Sequence, residues 1–211
     1  MRRIRREPEL HGPGHALERL IFFSDAVFAI AITLLIIEIH VPEVHGPGSD
    51  REFLIALARL IPNFISFFVS FFVIGSFWAG HHRVFDCARH WDPRIVLPNL
   101  VLLCTIAAMP FFTALSSEYY GHRVPVAFYS GWLALAALAN IWLQRVVTSA
   151  PVVGAQVSAE QRGMLRLRGY ATLLGAVTSL VVGLFVPFLG QPALLTIFVW
   201  RVLLQRLNRG G

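Results

Sequence analysis

The chain has 211 residues, of which 56% are hydrophobic and only 14% charged, and its formal net charge is +6 at pH 7. Its apolar runs are too long and too frequent for a soluble core, which excludes an ordinary soluble domain and points to an all-α polytopic membrane protein. The basic balance does not imply nucleic acid, because the arginines are spread over several connecting segments and no nucleic-acid-binding motif accompanies them.

Residues 1–16 form a basic segment with Arg2, Arg3, Arg5 and Arg6, followed by Gly-Pro-Gly at 12–14. The apolar run that follows exceeds a signal-peptide core, so the first helix is expected to stay in the mature protein. Hydropathy predicts one transmembrane domain over 17–208, with spans at 17–41, 60–80, 95–115, 124–147, 170–189 and 192–207. At a rise of about 1.5 Å per residue, these approach the roughly 20 residues needed to cross a bilayer. The sixth is interrupted by Arg201, with Gln205 and Asn208 at helical spacing, a pattern that also fits an interfacial amphipathic helix. Pro187 and the Gly190–Pro192 turn favour a short crossing, in which Arg201 and Arg206 snorkel toward headgroups.

Arginines fall on alternate connections: Arg83, Arg89 and Arg94 after the second span, Arg145, Arg162, Arg166 and Arg168 between the fourth and fifth, and Arg201, Arg206 and Arg209 at the end. The other connections carry only Arg51 and Arg123, with Glu43, Asp50, Glu52 and Glu118. Positively charged loops stay inside, so both termini are expected in the cytoplasm. Cys87 in a basic loop and Cys104 in the third span suggest no disulfide framework.

The first span, RLIFFSDAVFAIAITLLIIEIHV, holds the chemistry that stands out: Ser24 and Asp25 in its first third and Glu38 near its end. A carboxylate inside an apolar span is functional or buried against protein by default. At about 100° per residue, Ile30, Leu34 and Ile37 share a narrow stripe with Thr33 at its edge, while Asp25 projects to the other side. Such a stripe is ordinarily lipid-facing or packed, and a buried carboxylate ordinarily holds a bundle in register.

In the second span, Trp78 and His81 stand three apart and share a face; both offer ring N–H groups to Ser24 and Asp25 at similar depth. A protonated His81 would make that pairing charge-assisted and pH-dependent. The segment holding His81, His82, Asp86, Cys87 and His90 matches no standard metal-ligand spacing, and surrounding arginines repel a cation, so it is read as a solvated loop and no metal is assigned. Arg59, Asn63, Asn140 and Gln144 at or in the spans are read as helix-to-helix hydrogen-bond formers or snorkelling groups. No hydrolase, kinase or P-loop motif argues for an enzyme, and no TVGYG-like stretch supplies a carbonyl selectivity filter.

Arg19-x-x-x-Phe23-Ser24-Asp25 at the start of the first span, Thr33 further along it, and Trp78-x-x-His81 in the second resemble the transmembrane protein 175 family of lysosomal and bacterial potassium channels. The resemblance implies a cation channel without pore loop or cofactor, with permeant K+, in which first helices surround the pathway. With one six-helix repeat it also implies a homotetramer in a prokaryotic plasma membrane, four copies of one stripe closing a ring among membrane lipid. By the same resemblance Ile30 is the constriction, Leu34 and Ile37 continue it, and Thr33 is the pore hydroxyl. Arg19, Phe23, Ser24, Asp25, Trp78 and His81 match positions that hold the pore helix, and Glu38 stands at the outer mouth. The helical angle of Arg19 and Phe23 places them nearer the Ile30 face, which fits either a bend or packing between subunits. The rival readings are a proton-coupled transporter or proton-permeable channel using Asp25 and His81, and a non-conducting scaffold. Against the transporter, the first span has no Pro or Gly between Arg19 and Val41.

Overall fold

Ser24, Phe28, Ala31 and Leu35 recur every three or four residues and are all buried, which is the periodicity of a helix with one face packed against protein. They lie on α1 (Pro13–Ile37) in a computed structural model that describes residues 13–44 and 48–209. The arginines at 2, 3, 5 and 6 and Gly12 of the first Gly-Pro-Gly fall outside the described residues. Among the described residues the regular structure is helical, apart from an isolated bridge between Ala88 and Val153.

After α1 come α2 (Asp50–Arg59), α3 (Ile61–Phe85), α4 (Val96–Ala107), α5 (Met109–Glu118), α6 (Arg123–Val147), α7 (Ala159–Phe185), a single turn α8 (Pro187–Gly190) and α9 (Thr196–Arg209). Among the described residues six segments are long and apolar enough to cross a membrane: His15–Ile37, Ile61–Phe85, Pro93–Glu118, Arg123–Val147, Ala159–Phe185 and Pro187–Leu207. The third is two helices rather than one. Pro110 lacks an N–H and its ring would meet the carbonyl of Ile106, so the helix caps at Ala108 and restarts at Met109.

Several boundaries differ from the hydropathy reading. α1 stops at Ile37, so Glu38 lies just past the helix rather than inside it. The fifth helix starts at Ala159, not 170, because Ser158 and Gln161 form a capping box: Ser158 Oγ accepts from Gln161 N at 3.1 Å and Gln161 Oε1 from Ser158 N at 3.0 Å. Arg162, Arg166 and Arg168 are therefore helical, not loop residues, a feature that hydropathy misses since charge lowers it without stopping a helix. A second capping box, Ser49 with Glu52, starts α2, a ten-residue helix with no buried residue, too short for a span and unmarked by hydropathy.

Hydrogen bonds tie alternate connections together. Gly154 N donates to Cys87 O and Arg89 N to Val152 O, both at 2.9 Å, at one end of the bundle. At the other end Tyr120 Oη donates to Phe188 O at 3.4 Å. That alternation is what successive crossings require.

Packing between α7 and its neighbours depends on small residues, which let membrane helices approach closely. A Cβ on Gly175 would lie 2.1 Å from Ile197 Cγ1, and one on Gly183 would lie 2.3 Å from Val126 Cγ1. Hydroxyls then bridge the helices. Thr113 Oγ1 donates to Ser70 Oγ at 2.7 Å and Ser70 meets Tyr129 Oη at 3.0 Å, joining α5, α3 and α6. Gln191 accepts from Ser66 at 2.8 Å and donates to Ser116 at 3.0 Å, all buried.

Candidate functional site

The face of α1 opposite Ser24, Phe28, Ala31 and Leu35 is bare. Ile30 is 58% exposed, Ile37 66% and Leu34 39%, against 0–1% for the packed face. Thr33 is exposed beside them, and its hydroxyl donates to its own helix, to Ala29 O at 3.0 Å and Ile30 O at 2.9 Å. Its oxygen lone pairs are left facing outward. Because no Pro or Gly interrupts the helix after Gly14, the stripe is presented on continuous α-helix. Arg19 and Phe23 are exposed on the same chain segment. Glu38 is exposed just beyond the C-terminal end.

On the packed side α1 lies against α3, α4 and α5. Trp78 Nε1 donates to Asp25 Oδ1 at 2.9 Å, so the carboxylate of α1 is held by α3. Ser24 is reached differently. Its hydroxyl donates to Leu20 O at 2.8 Å and accepts from Asn99 Nδ2 at 2.9 Å, while Asn99 Oδ1 meets His81 Nε2 at 2.8 Å. Asn99 thus stands between Ser24 and His81, and the structure joins neither Ser24 nor Asp25 to His81 directly.

This arrangement assigns the imidazole tautomer. Asn99 spends its amide N–H on Ser24 and presents its oxygen to the ring, so His81 Nε2 carries the proton. His81 Nδ1 is buried with no hydrogen-bond partner, and the ring stands 5.5 Å from Phe28 and 4.5 Å from Phe85 between centroids. A second ring proton would have no acceptor there, which disfavours proton exchange between His81 and Asp25.

The sequence reading does not single out Asn99. Its available signal is an amide in an apolar span directly after Pro98, a residue pattern that marks internal hydrogen bonding in membranes. The second and third spans also meet through Asn63 Nδ2, which donates to Ser117 Oγ at 3.3 Å. Asn140 and Gln144, by contrast, leave their side-chain oxygens buried and without partners. Among the described residues no three His, Cys, Asp or Glu side chains are grouped to hold a metal ion, and Cys87 and Cys104 are free thiols. His81 and His82 belong to α3, not to a loop, and His81 is buried.

Near the basic connection, Arg94 forms a bidentate contact with Asp92, with Nη2 to Oδ2 at 2.8 Å and Nε to Oδ1 at 3.1 Å. Those bonds hold the Asp92 carboxyl below the usual carboxylate range. Partial burial pushes the Cys87 thiol up, and Asp86 adds to this.

Comparison with known proteins converges on the same helices. The family model described as the endosomal/lysosomal potassium channel TMEM175 matches residues 19–110, the stretch that contains α1, α3 and Asn99. A potassium channel of Streptomyces collinus is 42% identical over 121 residues, covering 56% of this chain and 57% of that one. A potassium channel of Chamaesiphon minutus is 40% identical over 129 residues, covering 59% and 63%. The alignments thus span about three fifths of these relatives' length. The crystal structure of a lysosomal potassium-selective channel TMEM175 homolog from Chamaesiphon minutus superposes with a TM-score of 0.73 at 26% identity, over 90% of this chain and 96% of that one. With the model match on the helices that build the site and the fold shared almost end to end, the chain is similar to the transmembrane protein 175 channels.

Proposed function

We propose that the protein is a potassium channel in which α1 from each of four identical subunits lines a central pathway, with Ile30, Leu34 and Ile37 as stacked apolar rings and Thr33 as a hydroxyl ring. One observation carries this reading: α1 has a packed face and a bare face, and the bare face holds large apolar side chains on unbroken helix. A cyclic assembly covers such a face once per subunit, and four copies enclose a pathway at its axis. The names of the relatives, potassium channels in both bacterial cases, support potassium as the permeant ion.

In this reading the rings at Ile30 dewet the pathway when closed and widen when open. A narrow, weakly coordinating ring favours potassium because it sheds hydration water more easily than sodium, and Thr33 oxygens return part of the lost coordination. Trp78 to Asp25 and the chain from His81 through Asn99 to Ser24 hold α1 from behind. Arg19 and Phe23 pack between subunits at the inner mouth, and Glu38 draws cations to the outer one. Both termini face the cytoplasm of a prokaryotic cell. The chemistry is conduction, not catalysis, and calls for no cofactor.

Planar-bilayer recording of purified protein under opposed potassium and sodium gradients tests the proposal. Discrete currents whose reversal potential follows potassium are expected, and Ile30→Asn is expected to raise leak and weaken selectivity. Slow electroneutral proton exchange, or an Ile30→Asn variant that conducts like the parent, overturns it.

A further inference from the structure

A cavity of about 280 Å³ opens between α3, α6, α7 and α9, on the side of α3 away from the Asp25 contact. Arg83, Arg168 and Arg201 all line it, each inside a candidate membrane span. They come from α3, α7 and α9 and face the same cavity. No carboxylate lines the cavity, and none of the three forms an ion pair or donates a side-chain hydrogen bond among the described residues. Three like charges at membrane depth without a counter-ion are costly.

Asn140 and Gln144 of α6 also line it, with their side-chain oxygens closed off by the protein. Ser76, Thr172 and Gln191 line it as well, but most of the remaining wall is apolar, including Phe68 and Phe72 from α3 and Leu195 and Phe198 from the last span, all four exposed at the protein surface. Along α3 the lining runs from Phe68 to Arg83, roughly 22 Å of helix at 1.5 Å per residue.

We infer that this cavity binds an anionic phospholipid of the leaflet level with the 86–92 and 148–158 connections. Its phosphate lies among Arg83, Arg168 and Arg201, and an acyl chain lies along Phe68, Phe72 and Phe198. Charge complementarity identifies the headgroup, since a phosphate supplies the missing counter-charge and accepts the unspent guanidinium N–H groups. The exposed aromatic wall within the spans identifies a lipid over a free anion. Phosphatidylglycerol, whose net negative charge sits on its phosphate, supplies such a headgroup.

The test is native mass spectrometry of the full chain, delipidated in neutral detergent and titrated with phosphatidylglycerol, phosphatidylcholine or inorganic phosphate. Phosphatidylglycerol is expected to bind at least about tenfold more tightly than phosphatidylcholine, and the double variant Arg168→Gln/Arg201→Gln to lose that preference. Equal binding of the two lipids, an unchanged preference in the double variant, or displacement of phosphatidylglycerol by equimolar inorganic phosphate each overturns the inference, the last by showing a free-anion site. Should the double variant fail to fold, phosphatidylglycerol with a photoreactive acyl chain is cross-linked to the unaltered protein. Labels on residues 68–77 and 195–198 support the site, and labels confined to other helices overturn it.

Discussion

The indole N–H of Trp78 donates to the carboxylate of Asp25 at 2.9 Å, and this one bond crosses from α3 to α1 on the side away from the bare stripe. The expensive carboxylate in the first span therefore has a donor from the neighbouring helix. Its position relates to Ile30 as back to front of one helix, so a change at Trp78 acts on how α1 is held, not on what its open face presents.

Trp78→Phe removes the donor and leaves the Asp25 oxygen to find another partner. A loss of about 1–3 kcal/mol is expected, the cost of stranding a charged acceptor, read as a lower unfolding temperature in detergent. Asp25→Asn keeps an oxygen to accept from Trp78 and is expected to lose less. Equal losses in the two variants contradict this account.

Asn99 is the centre of the polar chain from Ser24 to His81, and replacing it strands both ends. Asn99→Leu is expected to destabilise by about 2–4 kcal/mol, since Ser24 loses a donor and both ring nitrogens of His81 are left buried without partners. His81→Phe in the same background removes the orphaned ring nitrogens, so the double variant is expected to be more stable than the sum of the singles. Thermal unfolding of the four proteins in a double-mutant cycle measures that coupling, and strict additivity contradicts it.

The α7 to α9 contact depends on the missing side chain of Gly175. A Cβ there meets Ile197 Cγ1 at 2.1 Å and the Ile197 backbone at 3.2 Å, so Gly175→Ala is expected to destabilise by roughly 1–3 kcal/mol. Gly163, in the same helix, has open space around its would-be Cβ. Gly163→Ala is expected to be neutral or to stabilise by up to about 1 kcal/mol through helix propensity, and the pair of unfolding temperatures separates packing from propensity.

Asp92 makes a small contribution with a definite sign. Its carboxyl is held below the ordinary value by Arg94, so the folded chain favours the ionised form. The resulting stability is fully present above the unfolded carboxylate range and is lost as pH falls through the depressed folded value. Comparing unfolding temperatures of the parent and Asp92→Asn from neutral to acid pH checks it: the difference between them is expected to shrink on acidification. A difference that grows instead reverses the assignment.

Much of the fold is readable from hydropathy and period. Long apolar runs specify membrane helices because backbone groups in hydrocarbon must bond within their own segment, and six such segments are present among the described residues. What hydropathy misplaces has local causes: the capping box at Ser158 extends the fifth helix into a charged stretch, and Pro110 divides the third. The short amphipathic α2 carries no signal that a span-length window detects.

For the site, the sequence by itself determined that Asp25 and the Ile30, Leu34, Ile37 stripe lie on different sides of one helix, because 3.6 residues per turn is a local rule that distant contacts do not alter. It also placed Trp78 and His81 on one face of the next span. Only the tertiary structure decided that Trp78 takes Asp25 while His81 reaches Ser24 through Asn99, a residue 75 positions from Ser24. It alone gathered Arg83, Arg168 and Arg201 around one cavity. Such pairings depend on how closely two helices approach and at what depth their side chains meet, and small residues such as Gly175 and Gly183 set that approach. Neither hydropathy nor periodicity within a single helix encodes the distance between two of them.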